Sequence, residues 1–298
     1  MPSAAPLTFT CPAKVNLALS VGPSDATGYH LIASWMVALA FGDRLTLTRL
    51  ADGPTTWAIA FDPAGPAAAQ RVDWPLDDDL AVRAHRLVEH RVGRPLPIDA
   101  RLAKHVPTGA GLGGGSSDAA ATLLAVDHLF ELHLGEATLR ELAAQLGSDV
   151  PFLVAALHGS PAALVTGVGH VIEPTTLPQP IHLALAMPAI TCPTGEVYLA
   201  FDEQAASPVD TPRVSALARR GLPVDAELFN DLAMPATRVR PALADLRGRL
   251  ARELDRAVHV TGSGAALFVL ARDADDAAAV AARITVVTDA PAIATRTP

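Results

Sequence analysis

One stretch limits the folds open to this 298-residue chain more than any other: VPTGAGLGGGSSDAA, where five of the seven residues from Gly109 to Gly115 are glycine. Without β-carbons at those five positions the backbone can take positive φ and bring its N–H groups close to a ligand. The run that follows, SSDAAATLLAVDHLFELHL, reads as a long apolar helix with Ser116 or Ser117 as its cap. A glycine turn feeding a helix N-terminus presents unpaired N–H groups and partial positive charge, a setting that binds phosphate. Gly109, Gly111 and Gly114 satisfy G-x-G-x-x-G, yet the dinucleotide fold requires a second strand ending in an acidic residue about twenty positions on. Here the chain is still helical at that distance, and Asp127 sits among helical neighbours. A P-loop is excluded too, because no Lys-Ser/Thr follows the last glycine.

The totals remove several other classes. Half of the residues are hydrophobic and 18% are charged, which is globular composition, and the length suits one large unit or two packed domains. With a net charge of −8 and no basic stripe, a nucleic-acid partner is not expected. No run of 18 apolar residues occurs and MPSAAPLTFTCPAKVNLALSV lacks a basic n-region, so neither a membrane span nor an export signal is expected, and the chain reads as cytoplasmic. Cys11 and Cys192 read as reduced packing residues. His85 with His90 and His128 with His133 are spaced five apart, so no structural metal is assigned.

Scarcity points to individual residues. Of 23 basic residues only Lys14 and Lys104 are lysines, the asparagines are Asn16 and Asn230, and the tyrosines are Tyr29 and Tyr198. In a chain rich in Arg, Ala and Gly, a rare type is expected where its chemistry resists replacement. Lys14, Asn16 and Tyr29 are candidates on that ground alone.

The first third reads as sheet-rich: LTFTCPAKVNLALSVG, DRLTLTRL and TTWAIAF carry strand signals. DDDLAVRAHRLVEHRVG has helical spacing, with Asp77 to Asp79 as a solvated helix start and Gly93 at its end. PIDARLA is a short strand, EATLRELAAQLG a helix, and SDVPFLVAALHGS follows. Near residues 155–165 the pattern changes. IHLALAMP, AVHVTGSG and AALFVLA read as strands, helices are expected over 195–202, 237–254 and 273–284, and ITVVTDA closes the chain. This order suggests a split βαβ, ferredoxin-like second domain.

VPTGAGLGGGSSDAA resembles the central phosphate-binding motif of the GHMP kinases, and four further stretches are similar to the same superfamily in the same order. They are CPAKVNLALSVG, TGYHLIASWMVALAFGDRLTL, LGSDVPFLV and VTGSGAALFVL, and the matches run from about residue 10 to about residue 270. The resemblance implies an α+β, two-domain GHMP kinase fold. Residues 1–160 would form a ribosomal protein S5 domain 2-like, ATP-binding N-terminal domain and residues 161–298 a ferredoxin-like C-terminal domain.

It also implies a reaction: phosphoryl transfer from ATP, with Mg²⁺, to a hydroxyl of a small cytidine-diphosphate substrate. Such transfer needs a triphosphate cradle, a cation on the developing charge and a group oriented on the attacking hydroxyl. By the resemblance, Pro107, Thr108, Gly109, Ala110, Gly111, Leu112, Gly113, Gly114, Gly115, Ser116 and Ser117 form the cradle, with Lys104 near the nucleotide. Asp149 matches the aspartate that accepts the hydroxyl proton, and Lys14 the strand lysine whose charge supports it. Read without the resemblance, Asp149 before Val150-Pro151 is equally a helix N-cap. Asn16, Tyr29 and His30 match substrate-binding positions, Tyr29 stacking on the cytosine and His30 bonding its edge. Thr194 and Tyr198 match second-domain residues that close over the substrate.

Two positions depart from the pattern. Asp79 stands where an asparagine often faces adenine, and Met36, beside Trp35, stands where a phenylalanine often follows the Gly-Tyr-His segment. Two alternatives stay open: a GHMP kinase for homoserine, mevalonate or a sugar, and a GHMP-fold sensor that binds ATP without turnover.

Overall fold

The computed structural model describes residues 5–26, 28–204 and 207–298. Thr27, which opens the TGYH stretch, and the first four residues of the expected N-terminal domain lie outside them. The chain begins with β1 (Leu7–Ser24), β2 (His30–Arg49), β3 (Thr56–Phe61), α1 (Leu80–Val92) and β4 (Ile98–Lys104). It continues through α2 (Gly114–Leu129), α3 (Gly135–Ala144), α4 (Val150–Leu157), β5 (Ala162–Gly167), β6 (Val171–Pro174) and β7 (His182–Ala186). Last come α5 (Thr194–Asp202), α6 (Thr211–Arg220), β8 (Phe229–Asn230), α7 (Ala233–Val239), α8 (Pro241–Leu254), β9 (His259–Val260), β10 (Leu267–Ala271), α9 (Ala274–Val287) and β11 (Ala292–Arg296).

The chain divides into two compact units. One contains the described residues through Ala13, then Gly42–Val106 and Gly113–Gly159; the other contains Lys14–Phe41, Pro107–Leu112 and the described part of Ser160–Pro298. Residues 14–41 and 107–112 thus group with the C-terminal part and not with residues 1–160, since β1 and β2 each contribute to both units.

In the first unit β3 runs parallel to β4, and β4 antiparallel to the C-terminal half of β2, with Leu47 opposite Ala100. Helix α2 packs on α1 and α4. Its Ala119, Ala120, Ala121 and Ala125 are buried small residues that allow close approach, while buried Leu123 and Val126 each contribute about 1.5–3 kcal/mol of apolar burial. Asp79 starts α1, its Oδ1 accepting from Ala81 N at 2.9 Å, and Gly93 ends it with φ 69°. Such a cap is worth about 1 kcal/mol.

In the second unit β5 runs antiparallel to the N-terminal half of β2, β6 antiparallel to β5, and β8 parallel to β1 at Ala18 and Leu19. A separate antiparallel sheet has the order β11-β7-β10-β9, with α9 packed on β7, β10 and β11. That order, with β9 and β10 as a hairpin, is the expected ferredoxin-like arrangement.

Several boundaries differ from expectation. Helix α2 starts at Gly114, with Gly113 (φ 71°) at the N-cap and no side-chain cap bond, so Ser116 and Ser117 lie within its first turn and cap nothing. The expected 237–254 helix is two helices broken at Arg240 (φ −131°), because Pro241 disfavours a helical residue before it. The Ile284-Thr285-Val286-Val287 run ends α9, and the closing strand is β11. Trp35 and Met36 are both core residues, Trp35 opposite Leu164 of β5, so neither offers a face to a ligand.

Candidate active site

The second unit holds Lys14, Asn16 and the residues expected to meet the acceptor. From Cys11 to Gly22 β1 is buried on both faces, and Lys14 and Asn16, two positions apart, lie on the same one. Burying a polar group is tolerated only when it is hydrogen-bonded. Lys14, 3% exposed, donates from Nζ to Asn16 Oδ1 at 2.8 Å; Asn16 Nδ2 donates to Ser34 Oγ at 2.8 Å, and Ser34 Oγ to Ala18 O at 2.8 Å. Asn16 N donates to Thr261 Oγ1 at 3.0 Å. A buried ammonium is therefore held in a chain of side-chain bonds reaching from β1 to the β9–β10 turn.

Two glycine turns interlock beside it. Lys14 N donates to Leu112 O at 2.8 Å and Ala266 N to Ala110 O at 3.0 Å. At Gly111 (φ 73°) an added Cβ would sit 2.4 Å from Thr261 O and 3.0 Å from Gly264 O, so only glycine fits. At Gly262 it would lie 3.3 Å from Lys14 Nζ. Pro107, Thr108 and Gly109 open this turn, and Thr194 Oγ1, at the start of α5, is 3.1 Å from Ser263 Oγ.

The aromatic segment is also in this unit. Gly28 (φ 83°) presents Tyr29, which is 62% exposed. His30 points inward. Its Nδ1 donates to Gly22 O at 2.8 Å, and its Nε2 lies 3.6 Å from Asp202 Oδ2. The Tyr198 ring centroid is 4.7 Å from that of His30.

The first unit holds the helix end and Asp149. Gly114 approaches Val106 so closely that a Cβ would meet its side chain at 2.9 Å. The first N–H groups of α2, from Gly114 through Ser116, have no partner within the helix by geometry. Ser117 N donates to Gly113 O at 2.8 Å, and Ser117 Oγ is buried without a hydrogen bond among the described residues. Ser116 is half-buried and Gly115 exposed. Asp149 (φ −86°, ψ −18°) precedes α4, but its side chain makes no cap bond, so the capping role the sequence also allows is not used.

Lys104 sits in a buried ion cluster. Its Nζ donates to Asp43 Oδ2 at 2.8 Å and Asp118 Oδ2 at 2.5 Å, and all three side chains are nearly inaccessible. Burial opposes its charge, but the two carboxylates outweigh it and hold the ammonium above the ordinary lysine range. With two carboxylates sharing one cation, burial pushes the Asp118 carboxyl up to about 8 against the pull of Lys104. Asp43 also accepts from His105 N and, at 2.7 Å, from Val106 N, so the cluster anchors the chain leaving β4. Lys104 is thus held by two buried carboxylates within the first unit. Asp79, where an adenine contact is expected in relatives, caps α1 and accepts from Trp74 Nε1 at 3.0 Å.

Ser34, Thr261, Asp43 and Asp118 carry these networks without having stood out in the sequence, because serine, threonine and aspartate are common here. Asn230 gave a signal in its rarity. Among the described residues no group of three His, Cys, Asp or Glu side chains could hold a metal, and no helix is long and apolar enough to cross a membrane. The backbone N–H groups opening α2 and the half-buried Ser116 hydroxyl of its first turn are groups whose chemistry suits phosphate oxygens.

The sequence matches the GHMP kinases N terminal domain over residues 79–160 and the GHMP kinases C terminal domain over residues 215–286. It is similar to a protein named 4-diphosphocytidyl-2-C-methyl-D-erythritol kinase from Paenarthrobacter aurescens, 34% identical over 92% of this chain and 88% of that one. A protein of the same name from Caulobacter vibrioides is 35% identical over 93% of this chain and 94% of that one. A crystal structure of 4-(cytidine 5'-diphospho)-2C-methyl-D-erythritol kinase aligns with TM-score 0.75 and 33% identity over 98% of this chain and 100% of that one.

Proposed function

Because the chain belongs to the 4-diphosphocytidyl-2-C-methyl-D-erythritol kinase family of GHMP kinases, we propose that it transfers the γ-phosphoryl group of ATP to the 2-hydroxyl of 4-(cytidine 5'-diphospho)-2-C-methyl-D-erythritol. This is a step of non-mevalonate isoprenoid precursor biosynthesis. In this reading the partners are ATP and that acceptor alone, without nucleic acid or membrane, and the reaction is cytoplasmic.

The triphosphate lies on the 107–117 segment, where backbone N–H groups and the dipole of α2 neutralise its charge before the reaction begins. Mg²⁺ accompanies it, and the Ser116 and Ser117 hydroxyls are the ligands the chain would offer beside phosphate oxygens. Asp149 accepts the proton of the acceptor hydroxyl. Lys14, oriented by Asn16, stabilises the alkoxide that develops, an interaction stronger in the transition state than in the ground state. Thr194 and Tyr198 close over the bound acceptor.

The observation that carries the cytidine assignment is the pairing of an exposed Tyr29 with a fixed His30. A flat base can stack on the Tyr29 face, while the His30 ring, turned by its bond to Gly22 O and packed on Tyr198, meets the base edge. An aliphatic hydroxy acid would use neither ring. Stacking of a base on an aromatic side chain is worth about 1–3 kcal/mol. Tyr29→Ala is therefore expected to raise KM for the cytidine acceptor about tenfold, at about 1.4 kcal/mol per decade, with KM for ATP within about twofold. Tyr29 is too exposed for its loss to disturb the core. An unchanged acceptor KM would show that the base is recognised elsewhere.

A further inference from the structure

The strand β8 is two residues long, and the side chain of its Asn230 makes three hydrogen bonds. Oδ1 accepts from Leu232 N at 2.9 Å, a local bond that fixes the amide's orientation. Both hydrogens of Nδ2 are then used, toward Val260 O at 2.9 Å and Gly262 O at 2.8 Å. These two carbonyls flank Thr261, whose Oγ1 accepts from Asn16 N, and Gly262, whose α-carbon faces Lys14 Nζ. The neighbouring Asp231 ties the same strand to β1: its Oδ2 accepts from Val21 N at 2.9 Å, and its N donates to Leu19 O at 3.0 Å. The Asn230-Asp231 pair thus grips both β1 and the β9–β10 turn.

We propose that Asn230 is a positioning residue for phosphoryl transfer, acting through the Val260–Gly262 segment to hold Lys14 and Asn16 in their working geometry. The chemistry explains why this position should not drift in a chain that otherwise avoids asparagine. Aspartate can keep the Leu232 bond but turns an acceptor toward two carbonyl oxygens. Serine and alanine do not reach. Only an amide of this length offers one acceptor and two convergent donors. The proposal rests on the assignment of Lys14 given above.

The test compares the wild type, Asn230→Asp, Lys14→Ala and the double variant, each with ATP, Mg²⁺ and the cytidine acceptor, by single-turnover rates and by KM for both substrates. Thermal midpoints are recorded for each, and Asn230→Ser is measured alongside as a variant that adds no charge. Loss of two half-buried hydrogen bonds that orient the turn beside Lys14 is expected to lower kcat about tenfold or more, with both KM values within about threefold. In the Lys14→Ala background the same substitution is expected to cost less than about twofold further, because residues acting as one unit are non-additive. A merely structural role predicts equal losses in both backgrounds, and that result would overturn the proposal. So would a raised KM with unchanged kcat. If Lys14→Ala alone leaves kcat unchanged, it is the assignment of Lys14 that fails, and the role of Asn230 falls with it. If one variant does not fold, the comparison is made with the other.

Discussion

Asp149→Ala is expected to lower kcat about a thousandfold or more at saturating ATP and acceptor while leaving the affinity for ATP within about threefold. Asp149 occupies the cap position of α4 without using it: Val150 N bonds to Gly147 O, and Pro151 near the helix start has no N–H to satisfy. Removing the carboxylate therefore removes no cap bond at the start of α4. The assay is single-turnover phosphoryl transfer beside a melting curve. Asp149→Asn, which keeps the shape and loses the basicity, should be equally slow. Were Asp149→Asn to retain near wild-type kcat, the proton acceptor would be another group.

Gly111→Ala is expected to be the most damaging single methyl group in the glycine turn. The residue has φ 73°, which costs an L-residue about 1–2 kcal/mol, and its Cβ would lie against Thr261 O and Gly264 O, backbone atoms that cannot rotate away. Overpacking of this kind adds about 1–3 kcal/mol. Together these predict a loss of roughly 2–5 kcal/mol in denaturant unfolding and a large loss of turnover, since the displaced turn is also bonded to Lys14 N. Gly109→Ala is the control. It shares a positive φ, but its Cβ would meet only the Thr191 methyl at 3.5 Å, so its cost should stay near the conformational term alone. Equal costs at the two positions would mean that the interlock with Thr261 and Gly264 carries no energy.

Much of this was readable from local signals, and the misses have physical causes. Asp79 and Gly93 bound α1 as cap chemistry predicts, and the four-stranded sheet follows from its order of strands and helices. The serine cap misled because three glycines let the helix begin earlier, where a left-handed Gly113 turns the chain without a side chain. Ile284 to Val287 read as strand by β-branching, yet Asp273 caps α9 through Asp276 N and the buried Ala277, Val280, Ala281 and Ile284 follow helical spacing. A few tenths of a kcal/mol of propensity per residue is outweighed by burying such a stripe. The Arg240-Pro241 break and the Asp210 cap of α6 are local signals that hydrophobic periodicity alone does not carry. The scarcity of lysine marks Lys104 as needed without saying whether for a ligand or for the buried carboxylates it holds. The Asn16–Thr261 and Asn230–Gly262 bonds span more than local sequence can report, since no periodicity encodes which turn a strand will meet.

The central claim is that this kinase phosphorylates a cytidine-bearing acceptor, and ADP release by the wild type with ATP and Mg²⁺ tests it most directly. The acceptors compared are 4-(cytidine 5'-diphospho)-2-C-methyl-D-erythritol, homoserine and mevalonate, offered separately at equal concentration. Turnover with the cytidine compound and none above background with the other two is the expected result. ADP release with homoserine or mevalonate but not with the cytidine compound, or ATP binding with turnover of none of the three, would contradict it.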